Sequence, residues 1–237
     1  MLLSEVTWME VEEYLAREDR LILAVGSCEQ HGRHLTFVTD TMIPWELARR
    51  LAESTGVAAA PPLAYGMSLH HMKFPGTLSL KPATLVAVIT DLLESAHRHG
   101  FRRVLVVNGH GGNEPSLASV GADVCGRLPG LRLKIAAWWE QPTVEKLIQE
   151  RFGGHEVHAS AAETSVMLAL EPEIVRLPRA RYSKAVEGFL YPSAEEFRAR
   201  YPHGCAGLDP QLATAEIGEE ILAAAQAELE RELKEGW

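Results

Sequence analysis

Arg102-Arg103-Val104-Leu105-Val106-Val107 runs directly into Asn108-Gly109-His110-Gly111-Gly112-Asn113, and the reading of this stretch decides the fold. Its first half has the short, continuous apolar pattern of a strand buried on both faces. Its second half is a glycine-rich turn that lets the backbone bend sharply, so that the His110 imidazole can sit at the mouth of a sheet. In open α/β sheets, ligands bind outside the carboxyl ends of the strands. A glycine loop after a strand can also cradle phosphate. This one lacks the lysine and spacing of a P-loop and the glycine spacing of a dinucleotide fingerprint.

Working outward, strands and helices alternate. The pattern predicts a helix from Val6 to Ala16 with Thr7 as cap, a strand from Leu21 to Val25, and a helix opened by Pro44 and running to Glu53. A strand from Val57 to Ala60 should end at Pro61-Pro62, and a helix from Pro82 to His99 should stop at Gly100. After the strand Val104 to Val107 come a helix from Pro115 to Gly126, a strand from Leu131 to Ala137, and helices from Ala161 to Leu170 and from Ala213 to Lys234. Such alternation predicts a three-layer α/β/α sandwich with a mainly parallel central sheet, in one domain spanning 1–237. Arg179 to His203 is irregular and rich in Tyr and Pro, and is expected to form a lid or a subunit contact.

Composition sets the class. The 237 residues suffice for a substantial core, and 46% apolar with 23% charged content is ordinary for a globular protein. A net charge of −9 makes nucleic acid and acidic membrane surfaces poor partners. Cys28, Cys125 and Cys205 are odd in number and widely spaced, which argues for a reducing cytoplasm and not a disulfide framework. Met1 to Tyr14 is acidic without the apolar core of a signal peptide, and no stretch has the length of a membrane span.

Two further stretches carry chemistry. Glu29-Gln30-His31-Gly32 follows the strand Leu21 to Val25. In extended chain, positions i and i+2 project the same way, so Glu29 and His31 can act together, and Asp40 can return to them after a short loop. Carboxylate and imidazole donors suit zinc, manganese or iron better than calcium. The alternative is a polar loop with a helix cap at Thr39 or Asp40. The third stretch, His155 to Ser165, contains Ser160-x-x-Glu163, which reads as a capping box. Glu163 could instead reach a metal, and both roles coexist only if one oxygen faces each way. His158 would then lie in the cleft.

Taken in order, these elements resemble the creatininase family of metal-dependent amidohydrolases. The residues that carry the resemblance are Gly26-Ser27-Cys28-Glu29-Gln30-His31-Gly32-Arg33-His34-Leu35 with Thr39-Asp40, then Tyr65-Gly66, His71-Met72-Lys73-Phe74-Pro75-Gly76-Thr77, Asn108-Gly109-His110, Glu163-Thr164-Ser165, and Gly207-Leu208-Asp209-Pro210 with Ala213-Thr214-Ala215-Glu216. The resemblance implies a sandwiched parallel sheet and two divalent ions, zinc and/or manganese with iron as a further option. It puts Glu29 and His110 on one ion, His31 on the other, and Asp40 between them. Creatininase has a Glu at the position of Gly112, so the second ion needs another carboxylate here. Glu163 is the first choice and Glu114 the second.

The implied activity is hydrolysis of a C–N amide-type bond in a small molecule, such as a creatinine-like cyclic amide or a formamide. Two ions about 3.5–4 Å apart can activate a shared water and polarise a carbonyl. His158, at the family's catalytic position, would pass a proton to the leaving nitrogen. The family also holds enzymes that trim a modified peptide, and a metal- or ligand-binding protein without turnover is a further alternative. His71 is expected at the substrate or behind a ligand, and Trp139 at a pocket wall. Arg33 is either a selector for an anionic substrate or a surface arginine. His34 reads as a supporting histidine, and His70, His97, His99 and His203 as exposed or structural. Family members are commonly hexameric, so a homo-oligomer is expected.

Overall fold

The structure is a computed structural model that describes residues 1–186 and 192–237. Four parallel strands, β1 (Arg20–Val25), β2 (Ala58–Leu63), β3 (Arg103–Asn108) and β4 (Arg132–Ala137), stand in the order β2-β1-β3-β4. Alternation along each strand divides the core. Ile22, Ala24, Leu105 and Val107 face one layer, formed by α2 (Thr39–Thr55), α5 (Pro142–Phe152), α6 (Ala161–Leu170) and α8 (Ala215–Lys234). Leu21, Leu23, Val25, Val104 and Val106 face the other, formed by α1 (Trp8–Leu15), α3 (Pro82–His99) and α4 (Glu114–Arg127). The expected three-layer α/β/α sandwich is therefore the fold. Its central strands β1 and β3 are buried on both faces from their second residue onward, as βαβ crossovers require.

Besides α5, which no predicted helix covers, local expectations differ at three places. Pro61 and Pro62 lie inside β2, not after it. The strand is at the sheet edge, so one of two adjacent proline nitrogens faces outward where no ladder bond is due, and both prolines fall where the β1–β2 register shifts, between the pairs Leu23–Ala60 and Val25–Leu63. Pro44 does not open its helix, because α2 already starts at Thr39 and Pro44 lies within it. With no N–H at Pro44, the carbonyl of Asp40 has no helical partner four residues on. A Cβ at Gly109 would collide with that same carbonyl and with the Pro44 ring. The glycine thus lets the loop after β3 press onto the first turn of α2. The third difference is the N-terminus of α6, which belongs to the site.

The segment from Arg179 to His203 includes a short helix, α7 (Ala194–Arg200). Phe197 of α7 packs with Phe74, Tyr201 and Ala206. Residues 187–191 of that segment lie outside the described residues.

Candidate metal centre

Three loops at the carboxyl ends of the strands, with the first turns of α2 and α6, converge on one buried cluster. After β3, Asn108 makes the turn. Its side chain donates to the His110 carbonyl at 2.8 Å and accepts the His110 N–H at 3.2 Å. Asn113 then ties this loop to the one after β1, donating to the Gly26 carbonyl at 3.1 Å and accepting from Met67 N at 3.0 Å. Asn113 also donates to Asn108 Oδ1 at 3.2 Å, and its tie to Gly26 and Met67 has no signal in local spacing, because those partners lie far away along the chain.

Three overlapping groupings of ligand-type side chains occur among the described residues; Glu29, His31 and His158 make one, and the other two are triads that share Asp40. Glu29, Asp40 and His110 form the first, and His31, Asp40 and Glu163 the second, with all donor atoms of a triad within 4.8 Å of one another. Asp40 Oδ1 is 2.9 Å from His31 Nε2, and Asp40 Oδ2 is 3.3 Å from His110 Nδ1. Glu29 Oε2 is 3.2 Å from His110 Nε2, and Glu163 Oε1 is 3.6 Å from His31 Nε2. All five residues are buried. Both oxygens of Glu29, Oδ2 of Asp40 and Nε2 of His31 have no hydrogen-bond partner. Buried carboxylate oxygens without donors are costly unless a cation pairs with them. Oxygen and imidazole donors in this number fit two divalent ions.

Glu163 meets the condition that one oxygen face each way. Oε1 points to His31, while Oε2 accepts the Ala159 N–H at 2.5 Å. The expected Ser160–Glu163 capping box is absent. Ser160 Oγ donates to Glu156 Oε1 at 2.6 Å, and Glu156 Oε2 takes the N–H groups of Ala162 (3.0 Å) and Glu163 (3.4 Å). The cause is Ala159, whose φ of 52° makes it the sole non-glycine residue with positive φ among those described. That left-handed kink carries Glu156 over the start of α6 and brings its carboxylate onto the free N–H groups. Burial pushes Glu156 up to about 7, with Glu163 adding to the effect. Glu156 was not singled out in the sequence, since only the kink gives it a role.

The remaining candidates divide. His158 and His71 line the cavity beside the centre, His158 Nδ1 3.4 Å and His71 Nε2 3.3 Å from Glu29 Oε1. Burial holds both imidazoles well below the usual range, with neighbouring histidines adding to the effect, so both are neutral. Trp139 lines the same cavity, as does Glu114, which belongs to neither triad. His70, expected to be exposed or structural, is a cavity residue instead, its ring stacked at 6.1 Å on His110. His34 is buried, bonds Thr164 Oγ1 at 2.9 Å and is no ligand in either triad. Arg33 is not brought to the site. Its exposed side chain lines a separate depression with Pro178, Arg179 and Arg181. Gly112 has no room for a carboxylate, because a Cβ there would meet the His110 ring and the Met67 carbonyl.

The profile of the creatininase family, described as creatinine amidohydrolase, matches residues 4–233. The chain belongs to the creatininase family. The creatinine amidohydrolase of Pseudomonas putida is 33% identical over 196 residues, which cover 76% of this chain and 75% of that protein. The mycofactocin precursor peptide peptidase of Mycolicibacterium smegmatis is 35% identical over 216 residues, covering 86% and 79%. A crystal structure of creatinine amidohydrolase superposes with a TM-score of 0.86 at 28% identity, covering 98% of this chain and 96% of that one. Related creatininase structures with the same score or 0.01 less are described as a Zn-Zn type and a manganese form. This chain is accordingly a metal-dependent amidohydrolase of the creatininase family, with a binuclear site.

Metal uptake should release protons. Despite burial, which opposes it, Glu29 and Asp40 push His110 up to about 9, and Asp40 and Glu163 raise His31 well above its ordinary value. Both imidazoles are therefore protonated at pH 7 without metal, and each must lose its proton to ligate. Affinity should rise with pH up to about 9. Titration calorimetry at pH 7 in buffers of different ionisation enthalpy should show strongly buffer-dependent heats, and buffer-independent heats would contradict the assignment.

Proposed function

We propose that this chain hydrolyses the C–N bond of a small cyclic amide or formamide, using two ions of zinc or manganese held by Glu29, His31, Asp40, His110 and Glu163. The observation that carries this reading is the pair of buried ligand triads sharing Asp40, with four of their donor atoms left without hydrogen bonds. When bound, such ions supply Lewis acidity toward a carbonyl and a water. The chain's own residues do the rest. His158 lies at the cavity beside both triads and moves the proton to the leaving nitrogen. Phe197, edge-on to His71 at 4.4 Å, and Trp139 both line the cavity and shed water from it.

A second reading, trimming of a modified peptide, is favoured by the size of the cavity. Its volume is about 500 Å³, which is the scale of a drug-sized ligand and exceeds the needs of a small cyclic amide. Gly111 and Gly112 leave part of its lining bare.

The test is elemental analysis of protein purified without added metal or chelator, followed by turnover assays on creatinine, formamides, lactams and short peptides. The proposal expects close to two equivalents of metal per chain, with turnover lost on chelation and restored by zinc or manganese. Protein that neither carries nor takes up metal would overturn it. We further place the protein in the cytoplasm as a homo-oligomer, hexameric as its resemblance implies. Free cysteines at Cys28, Cys125 and Cys205 support the first assignment, and exposed Tyr65, Leu69, Met72 and Leu78 the second. No helix among the described residues is long and apolar enough to cross a membrane.

A further inference from the structure

Gln30 lies between the two triad residues Glu29 and His31 and turns the other way. It is 4% exposed, and its side-chain amide is ringed by polar groups. Oε1 accepts the Gly32 N–H at 3.0 Å, which fixes the nitrogen end. Nε2 then has three neighbours and only two hydrogens: the Gly204 carbonyl at 2.9 Å, His71 Nδ1 at 2.9 Å and His158 Nε2 at 2.8 Å. The backbone carbonyl of Gln30 also lies 2.9 Å from His158 Nε2.

Counting donors and acceptors selects one arrangement. The Gly204 carbonyl can only accept, so it takes one amide hydrogen. If the second goes to His71 Nδ1, then His71 carries its proton on Nε2, on the side of Glu29 Oε1, 3.3 Å away. His158 then carries its proton on Nε2 and donates it to the Gln30 carbonyl. The Gly204 and Gln30 carbonyls and His71 Nδ1 are then all satisfied, and His158 Nδ1 is left as a bare lone pair at the metal centre, 3.4 Å from Glu29 Oε1. If the second hydrogen went to His158 Nε2 instead, the Gln30 carbonyl and His71 Nδ1 would both lose their donors in a buried site.

From this juxtaposition we infer that Gln30 is a positioning residue that fixes the tautomers of two histidines at once, presenting the basic Nδ1 of His158 to the reaction and keeping the proton of His71 on Nε2, toward Glu29. The inference builds on the proposed hydrolysis. As oxygen of water bonds to the carbonyl carbon, Nδ1 takes the proton that water gives up. The C–N bond then breaks with its electron pair on nitrogen, and that nitrogen receives the proton from Nδ1. A His158 with its proton already on Nδ1 cannot accept that first proton.

The test is nitrogen-15 spectroscopy of the imidazoles in the zinc-loaded protein, with Gln30→Glu and Gln30→Leu beside the unaltered protein. In the unaltered protein, both His158 and His71 should carry the proton on Nε2. Gln30→Glu offers only acceptors, so His71 should move its proton to Nδ1. Both variants should keep two equivalents of zinc, and kcat should fall about 10–100-fold with KM nearly unchanged, a part of what acid–base catalysis supplies. Finding His158 protonated on Nδ1 in the unaltered protein would overturn the inference, as would full kcat in Gln30→Leu. The spectroscopic result needs no substrate and no variant, so it stands apart from failure of the hydrolase reading.

Discussion

Asp40→Ala should remove both metal ions from the protein and lower turnover by roughly 10⁴-fold or more, the scale seen when groups that act as one unit are broken. The expectation follows from its two oxygens. Oδ1 faces His31 and Oδ2 faces His110, so each triad loses its shared member. Glu163→Gln should behave differently. Only the second triad contains Glu163, and one amide oxygen could not serve both an ion beside His31 and the Ala159 N–H, as two carboxylate oxygens would. That variant should keep one ion per chain and lose about 0.5–2 kcal/mol of stability if the oxygen leaves the N–H. Metal content by elemental analysis separates the cases. Retention of one ion in Asp40→Ala would show that Asp40 is not shared.

His158→Ala should lower kcat by about 10²–10⁴-fold, the range for a general acid–base group, while both ions stay bound. The structure makes this a sharp question, because Glu29, His31 and His158 also form a grouping with donor atoms within 4.8 Å. If His158 were a ligand, its removal would cost metal as well as rate. Two retained equivalents with slow turnover assign it to proton transfer, and loss of one equivalent assigns it to the metal. Its backbone bears on the result. His158 N–H bonds the Ala206 carbonyl at 3.1 Å, and Ala206 N–H returns to the His158 carbonyl at 3.0 Å. The imidazole can thus be deleted without releasing the loop.

A family signature and a fold can be legible while the reasons for individual residues are not. Glu29, His31, Asp40, His110 and Glu163 could be named from their local patterns and from the resemblance, and the structure brings all five together. Arg33 stands only two residues from His31, yet its exposed side chain lines a different depression. Nearness in sequence fixed nothing there, because the chain turns at Gly32, where φ is 66°. Glu156 and Gln30 show the converse. Neither has a local pattern that reveals its role, because their partners lie across a kink or more than 40 residues away.

By itself, the sequence determined the alternation of strands and helices apart from α5, the burial of β3, and the donor types gathered at the strand ends. These follow from periodicity, glycine placement and donor type, which are properties of a few adjacent residues. Tertiary structure alone decided that Pro44 lies within α2 and leaves the Asp40 carbonyl for the Gly109 turn to pack against. It alone decided that Ala159's left-handed turn hands the cap of α6 to Glu156 and leaves Glu163 free to face His31. The physical reason is the same in both cases. A buried polar group must find a partner, and which partner it finds depends on segments that only folding brings together.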